Sequence, residues 1–98
     1  MADIKIFNGA TLRIDAKTKK LTIELKDGNC VRLPTSMGSK EHELWYGFVC
    51  DGQEYDLNVW DESVCEVPDG ARYSACVYPV YGGQTDTCTM ETLAVRED

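Results

Sequence analysis

Between Leu44 and Trp60 the chain reads LWYGFVCDGQEYDLNVW, two runs of strand-forming residues around an Asp51-Gly52 pair. Asp-Gly accepts the positive φ angles that a two-residue hairpin loop demands, so the dipeptide predicts a tight β-hairpin. Such a loop sets the register: Cys50 faces Gln53, Phe48 faces Tyr55, Tyr46 faces Leu57 and Leu44 faces Val59. One face then carries Leu44, Tyr46, Phe48, Tyr55, Leu57 and Val59, a core face. The other carries Trp45, Gly47, Val49, Glu54, Asp56, Asn58 and Trp60, polar positions interrupted by two tryptophans. A slip of one residue would exchange the two sets, so the alternation itself supports the register.

The segments on either side follow the same period. Ile4 to Ile6 is expected to open a first strand that continues through Leu12 and Ile14. The turn AKTKK leads into LTIELK, and pairing Ile14 with Leu21 brings the apolar faces together. Asp27-Gly28-Asn29 is expected to be a three-residue turn, pairing Leu25 with Val31 and setting Glu24 opposite Arg32. Pro34, which has no N–H to donate, is expected to end that strand, and Pro34 to His42 reads as a polar loop suited to binding. After Trp60, Asp61 or Ser63 would cap one short turn, and Pro68-Asp69-Gly70 is turn chemistry. Ala71 to Val80 is a strand with Tyr73, Ala75 and Val77 on one side and Ser74, Cys76 and Tyr78 on the other. Gly82-Gly83 turns the chain back into a last strand, Thr87 to Val95, followed by a frayed Arg96-Glu97-Asp98 tail.

No stretch shows a 3.6-residue apolar period, and six or seven short strands predict an all-β fold. A small antiparallel β-barrel with an extended N-terminal hairpin is expected, with a β-sandwich as the alternative. Ninety-eight residues suit one domain spanning 1–98. No apolar run approaches a membrane span, and the start MADIKIFNG lacks a signal-peptide pattern, which predicts an intracellular, cytoplasmic protein.

Charge is unevenly laid down. Residues 1–40 hold eight Lys/Arg against four acids, whereas residues 41–98 hold two against thirteen, giving the net −7. A basic patch beside an acidic surface follows. The five cysteines are odd in number, widely spaced and without a Cys-x-x-Cys pair, and His42 is the sole histidine. Free cysteines are therefore expected rather than a disulfide framework, with a zinc site built from distant strands as the minor alternative. No metal and no cofactor is predicted. With no Ser-His-Asp set and no phosphate-cradling loop, no catalytic residue can be named, and the chain is expected not to be an enzyme.

From Leu44 onward the pieces FVCDGQ, YDLNVWDES, VPDGARYSACVYPVYGG and TCTMETLAV resemble single-stranded-DNA-binding domains of the replication protein A type, which have the oligonucleotide/oligosaccharide-binding fold. That resemblance implies single-stranded nucleic acid as ligand, with bases stacked on aromatic side chains along a basic groove. Trp45, Trp60 and Tyr78 would be the stacking platforms, and Lys17, Lys19, Lys20 and Arg32 the phosphate contacts. The alternative uses the same face for a protein partner, with the aromatics as anchors beside Glu54, Asp56 and Asp61. Such an acidic module would be an inhibitor or a nucleic-acid mimic. An open strand edge would additionally permit homodimerisation. The two ligand classes are separated by one spatial question: whether the lysines and Arg32, or the acids, surround the tryptophans.

Overall fold

The computed structural model describes residue 7, residues 9–36 and residues 42–98. Eight strands carry the fold: β1 (Thr11–Ile14), β2 (Lys20–Glu24), β3 (Cys30–Ser36), β4 (Glu43–Cys50), β5 (Gln53–Asp61), β6 (Tyr73–Tyr81), β7 (Gln84–Thr85) and β8 (Glu91–Glu97). They form one sheet in the order β3-β2-β1-β8-β6-β5-β4, with the short β7 added to β6. The end strands β3 and β4 approach one another without pairing, so the sheet curls into a nearly closed small barrel. Two antiparallel meanders, β1–β3 and β4–β6, make opposite walls, and β8 stitches them together. Its first half pairs antiparallel with β6, through Ala75 and Leu93, and its second half pairs parallel with β1, through Leu12 and Val95. A five-stranded Greek-key barrel of the oligonucleotide-binding type has the same general shape with fewer strands.

The central hairpin has the register its turn demands, from Cys50 opposite Gln53 to Leu44 opposite Val59. Asp51 and Gly52 both take positive φ, 51° and 78°, the conformation that matches the right-handed twist of the flanking strands. Gly82 and Gly83 do the same at the β6–β7 turn. The β1–β2 register, Ile14 opposite Leu21 and Leu12 opposite Ile23, is also the one the alternation predicts.

Four expectations need correction. Ile23 lies opposite Val31 and Thr22 opposite Arg32, two residues away from the expected β2–β3 register. The turn that closes here is Lys26-Asp27-Gly28, with Leu25 N–H donating to the Asn29 carbonyl and Gly28 at φ 89°. Both registers keep Leu21, Ile23, Val31 and Leu33 on the inner face, so hydrophobic alternation cannot choose between them. Glu24 is thereby freed from Arg32 and meets Arg13 and Arg96 instead. Second, β3 runs through Pro34 to Ser36. A register shift between Lys20 and Leu21 accommodates it, and β3 is an edge strand, where a missing N–H costs no ladder bond. Third, residues 87–89 form a turn, and β8 starts at Glu91. Fourth, the tail is held: Asp98 N–H donates to the Ile14 carbonyl at 2.9 Å, and Ala16 N–H donates to the Asp98 carbonyl at 2.8 Å. The expected strand at Ile4–Ile6 and the middle of the 34–42 loop lie outside the described residues.

Inside the barrel, Leu12, Ile14, Leu21, Ile23, Leu57, Val59 and Val77 are fully buried, drawn from both walls. One end is closed by an aromatic cluster in which Phe7 packs on Tyr55 at 4.6 Å and on Phe48 at 5.8 Å between ring centroids. Burying each such aliphatic side chain contributes about 1.5–3 kcal/mol. The core is shared, and neither wall has one of its own.

Candidate functional site

The outward face of β4–β6 is built in rows by the strand registers. Glu43, Trp60 and Ser74 form one row, and Trp45, Asn58 and Cys76 the next. Gly47, Asp56 and Tyr78 follow, and then Val49, Glu54 and Val80. Asn58, Ser74 and Cys76 are buried although they point away from the barrel core. The reason is a second, thin layer on the outside of the sheet.

One half of that layer is the chain's own. After Asp61 the backbone turns tightly: the Asp61 carboxylate accepts the Ser63 amide at 2.8 Å, and the Asp61 carbonyl accepts Val64 N–H at 3.1 Å. The segment then runs back past Trp60, whose indole Nε1–H donates to the Glu66 carbonyl at 3.0 Å. Trp60 is therefore a clasp for residues 61–67. His42 Nδ1 lies 2.8 Å from Asp61 Oδ2, and Asp61 N–H donates to the His42 carbonyl, closing the same end of the β4–β5 pair. This contact with His42, with the Ser63 amide second, holds the Asp61 carboxyl below its ordinary pKa.

The other half of the layer is open. Trp45 and Tyr78, diagonal to each other across β5, stack with ring centroids 5.7 Å apart and planes 20° from parallel. Trp45 remains 47% exposed. Interaction with the neighbouring Cys76 thiol, with burial second, pushes the Tyr78 pKa up to about 12. Burial raises the Cys76 thiol as well, so both groups are neutral at physiological pH. Beneath the stack, Asn58 donates to Glu43 Oε2 at 3.0 Å and to the Leu44 carbonyl at 3.1 Å, which ties β5 to the start of β4. Asp56 Oδ2 accepts the Thr85 hydroxyl at 2.6 Å, and Val49 and Glu54 extend the exposed surface towards the Asp51-Gly52 tip.

The residues singled out in the sequence thus divide. Trp45 and Tyr78 come together, with Asp56 and Glu54 beside them. Trp60 lies on the same face but is engaged by the 61–67 segment, whereas Asp61, the next residue of β5 and so of opposite parity, is engaged by Ser63 and His42. Lys17 and Lys19 lie on the β1–β2 turn, where the Asp15 carboxylate accepts the Lys17 and Thr18 amides, Lys20 opens β2, and Arg32 points outward from β3. They occupy the opposite wall and its edge. No Lys or Arg occurs in β4, β5 or β6, and every charged group on their outward face is an acid. Three residues were not singled out by the alternation: Glu43 and Thr85, which hold Asn58 and Asp56, and Gly47. A glycine inside an otherwise regular strand was the available signal, because it marks places where something approaches the backbone closely.

Among the described residues no group of three His, Cys, Asp or Glu side chains could hold a metal ion. All five cysteines are free, with Cys30, Cys65 and Cys88 exposed. A shallow cavity of about 230 Å³ beside Gly70, Tyr73 and Val95 is crossed by Arg72, which pairs with Glu97 at 3.1 Å and covers the Tyr73 ring. That cation is already satisfied. No family model matches the chain, and no curated protein or solved structure matches it either.

Proposed function

We propose that this chain is a non-catalytic protein-docking module whose outward β4–β6 face binds a basic surface on a partner protein. The observation that carries this reading is the exposed Trp45–Tyr78 stack on a face whose charges are all negative. Rigid aromatic anchors within a polar surround are what binding hot spots are made of, and truncating one typically costs 2 kcal/mol or more of affinity. These acids, which have no cationic partner among the described residues, supply steering towards a positive partner and reject negative ones. An inhibitor that occupies a basic groove, in the manner of a nucleic-acid mimic, is the form of this function that the charge favours.

The resemblance to replication protein A-type domains favours single-stranded nucleic acid instead. Electrostatic repulsion weighs against it. A stacked base contributes about 1–3 kcal/mol. A phosphate held about 4 Å from Asp56 or Glu54 is repelled by about 1 kcal/mol in bulk water and by about 4 kcal/mol at an effective surface dielectric. At the surface dielectric, repulsion of that size offsets the gain from one stacked base.

The test is a tryptophan-fluorescence titration against a short single-stranded oligonucleotide and, separately, against basic partner proteins recovered by affinity capture. We expect no saturable quenching by the oligonucleotide at low salt. Capture is expected to weaken as salt rises and to be lost on Trp45→Ala. Saturable, salt-sensitive quenching by the oligonucleotide would overturn the reading in favour of nucleic acid.

A further inference from the structure

Gly47 is the one position on the outward face of β4 without a side chain, and its backbone φ does not require glycine. What a side chain would meet there is Asp56: a Cβ would lie 3.4 Å from Oδ1. Glycine therefore leaves a notch, and the Asp56 carboxylate is turned into it. The other carboxylate oxygen, Oδ2, is anchored by the Thr85 hydroxyl at 2.6 Å, so the group is pre-aimed rather than free to swing. Trp45 is the next outward residue of β4, and Tyr78, opposite Asp56 on β6, stacks on it.

A flat, exposed indole beside a fixed carboxylate is complementary to one kind of side chain. A guanidinium stacks its plane on an aromatic ring while its edge N–H groups donate to a carboxylate, whereas an ammonium is a compact, strongly hydrated point charge. We propose that the Gly47 notch is an arginine-binding subsite: an arginine of the partner protein lies over Trp45 and donates to Asp56 Oδ1. This rests on the protein-docking reading and names the chemistry of the partner's anchor.

The test uses two synthetic hexapeptides, Ala-Arg repeated three times and Ala-Lys repeated three times, which carry equal charge. Binding is followed through the Trp45 indole resonance of the ¹⁵N-labelled protein, a readout that needs no substitution. We expect the arginine peptide to bind at least about tenfold more tightly than the lysine peptide, a gap of ~1.4 kcal/mol. Asp56→Asn, and separately Gly47→Val, which fills the notch with a strand-forming residue, should each remove about tenfold or more. Asp69→Asn makes the same change in net charge on a loop distant from the notch and should leave binding within about twofold. Equal affinity for the two peptides overturns the subsite. So does an Asp69→Asn loss as large as that of Asp56→Asn, which would mean general attraction to an acidic protein. If both peptides bind alike and both shift the Trp45 indole resonance, the docking reading stands without the arginine subsite. If neither binds and the oligonucleotide does, both fall.

Discussion

The two walls of the barrel are built alike and finished differently. Each is a three-stranded antiparallel meander contributing aliphatic residues to one shared core. On the outside of the β1–β2 wall and the adjoining β8, charges answer one another. Arg13 reaches Glu24 and Asp98, and Arg96 reaches the same two acids at 3.5 and 3.3 Å. On the outside of β4–β6 the acids Glu54 and Asp56 have no cationic partner among the described residues, and an aromatic pair lies open between them. Around Arg13 and Arg96 opposite charges cancel one another's field, with Lys17, Lys19, Lys20 and Arg32 outside that network, whereas the acids of β4–β6, all of one sign, keep theirs for association. The difference between the walls lies in what each leaves unsatisfied.

Because the core is shared, the strongest way to break this comparison is from inside. Leu57→Ala, fully buried on β5, should cost about 2–5 kcal/mol and lower the urea midpoint in a single transition seen by every probe. Two separate transitions would show that the walls fold independently.

The two tryptophans then separate fold from docking. Trp60→Ala removes the clasp on Glu66 and should cost about 1–3 kcal/mol in chemical denaturation. Trp45→Ala loses chiefly its stack on Tyr78, about 0.5–1.5 kcal/mol, while abolishing capture of the partner. Equal destabilisation by the two variants would remove the distinction between a covered and an open half of the face.

Acid titration probes one carboxylate on each wall. Asp61 is held below its ordinary pKa by His42 first, and Asp98 by Arg13 first. A carboxyl depressed in the folded state binds its proton more readily when unfolded. Its contribution is therefore full above the ordinary carboxyl pKa of about 4 and is lost as pH falls through the folded value. Stability differences between wild type and Asp61→Asn or Asp98→Asn should accordingly hold down to about pH 5 and shrink below about pH 4. A difference that holds constant to low pH would mean that neither charge contributes.

Smallest is the effect of exposed charge itself. Arg13→Ala should cause a slight loss that fades with added salt, since its partners are solvent-exposed. Glu54→Gln should leave stability unchanged or raise it slightly by relieving repulsion on an acidic wall. Thermal unfolding of both variants at low and high salt would check the pair.

What could be read directly was whatever a short stretch of chain decides by itself. Asp51-Gly52 admits one tight turn, and side-chain alternation then dictates which residues of β4 and β5 face the core, so register and faces followed together. At Lys26-Asp27-Gly28-Asn29 two loops of different position satisfied the same alternation. The register there was settled by packing and by the turn's own hydrogen bonds, which local pattern does not encode. The candidate site was legible as Trp45, Tyr78, Glu54 and Asp56 on one face. That Trp60 would be claimed by Glu66 was not legible, because both readings give it the same strand position.

By itself, then, the sequence determined that this is an all-β chain, where its tight turns fall, and which side of each strand is apolar, since these depend on backbone sterics and on the period of two. Only the tertiary structure decided that β8 bridges two meanders into a nearly closed barrel, and that the β1–β2 surface pairs its charges with those of β8. It also decided that the acids and aromatics of β4–β6 stand together without a cation among the described residues. Those outcomes depend on contacts between residues far apart in the chain, such as Arg13 with Asp98 and Asp56 with Thr85. Their cost in chain entropy is met by the whole core together, and no local segment can signal them.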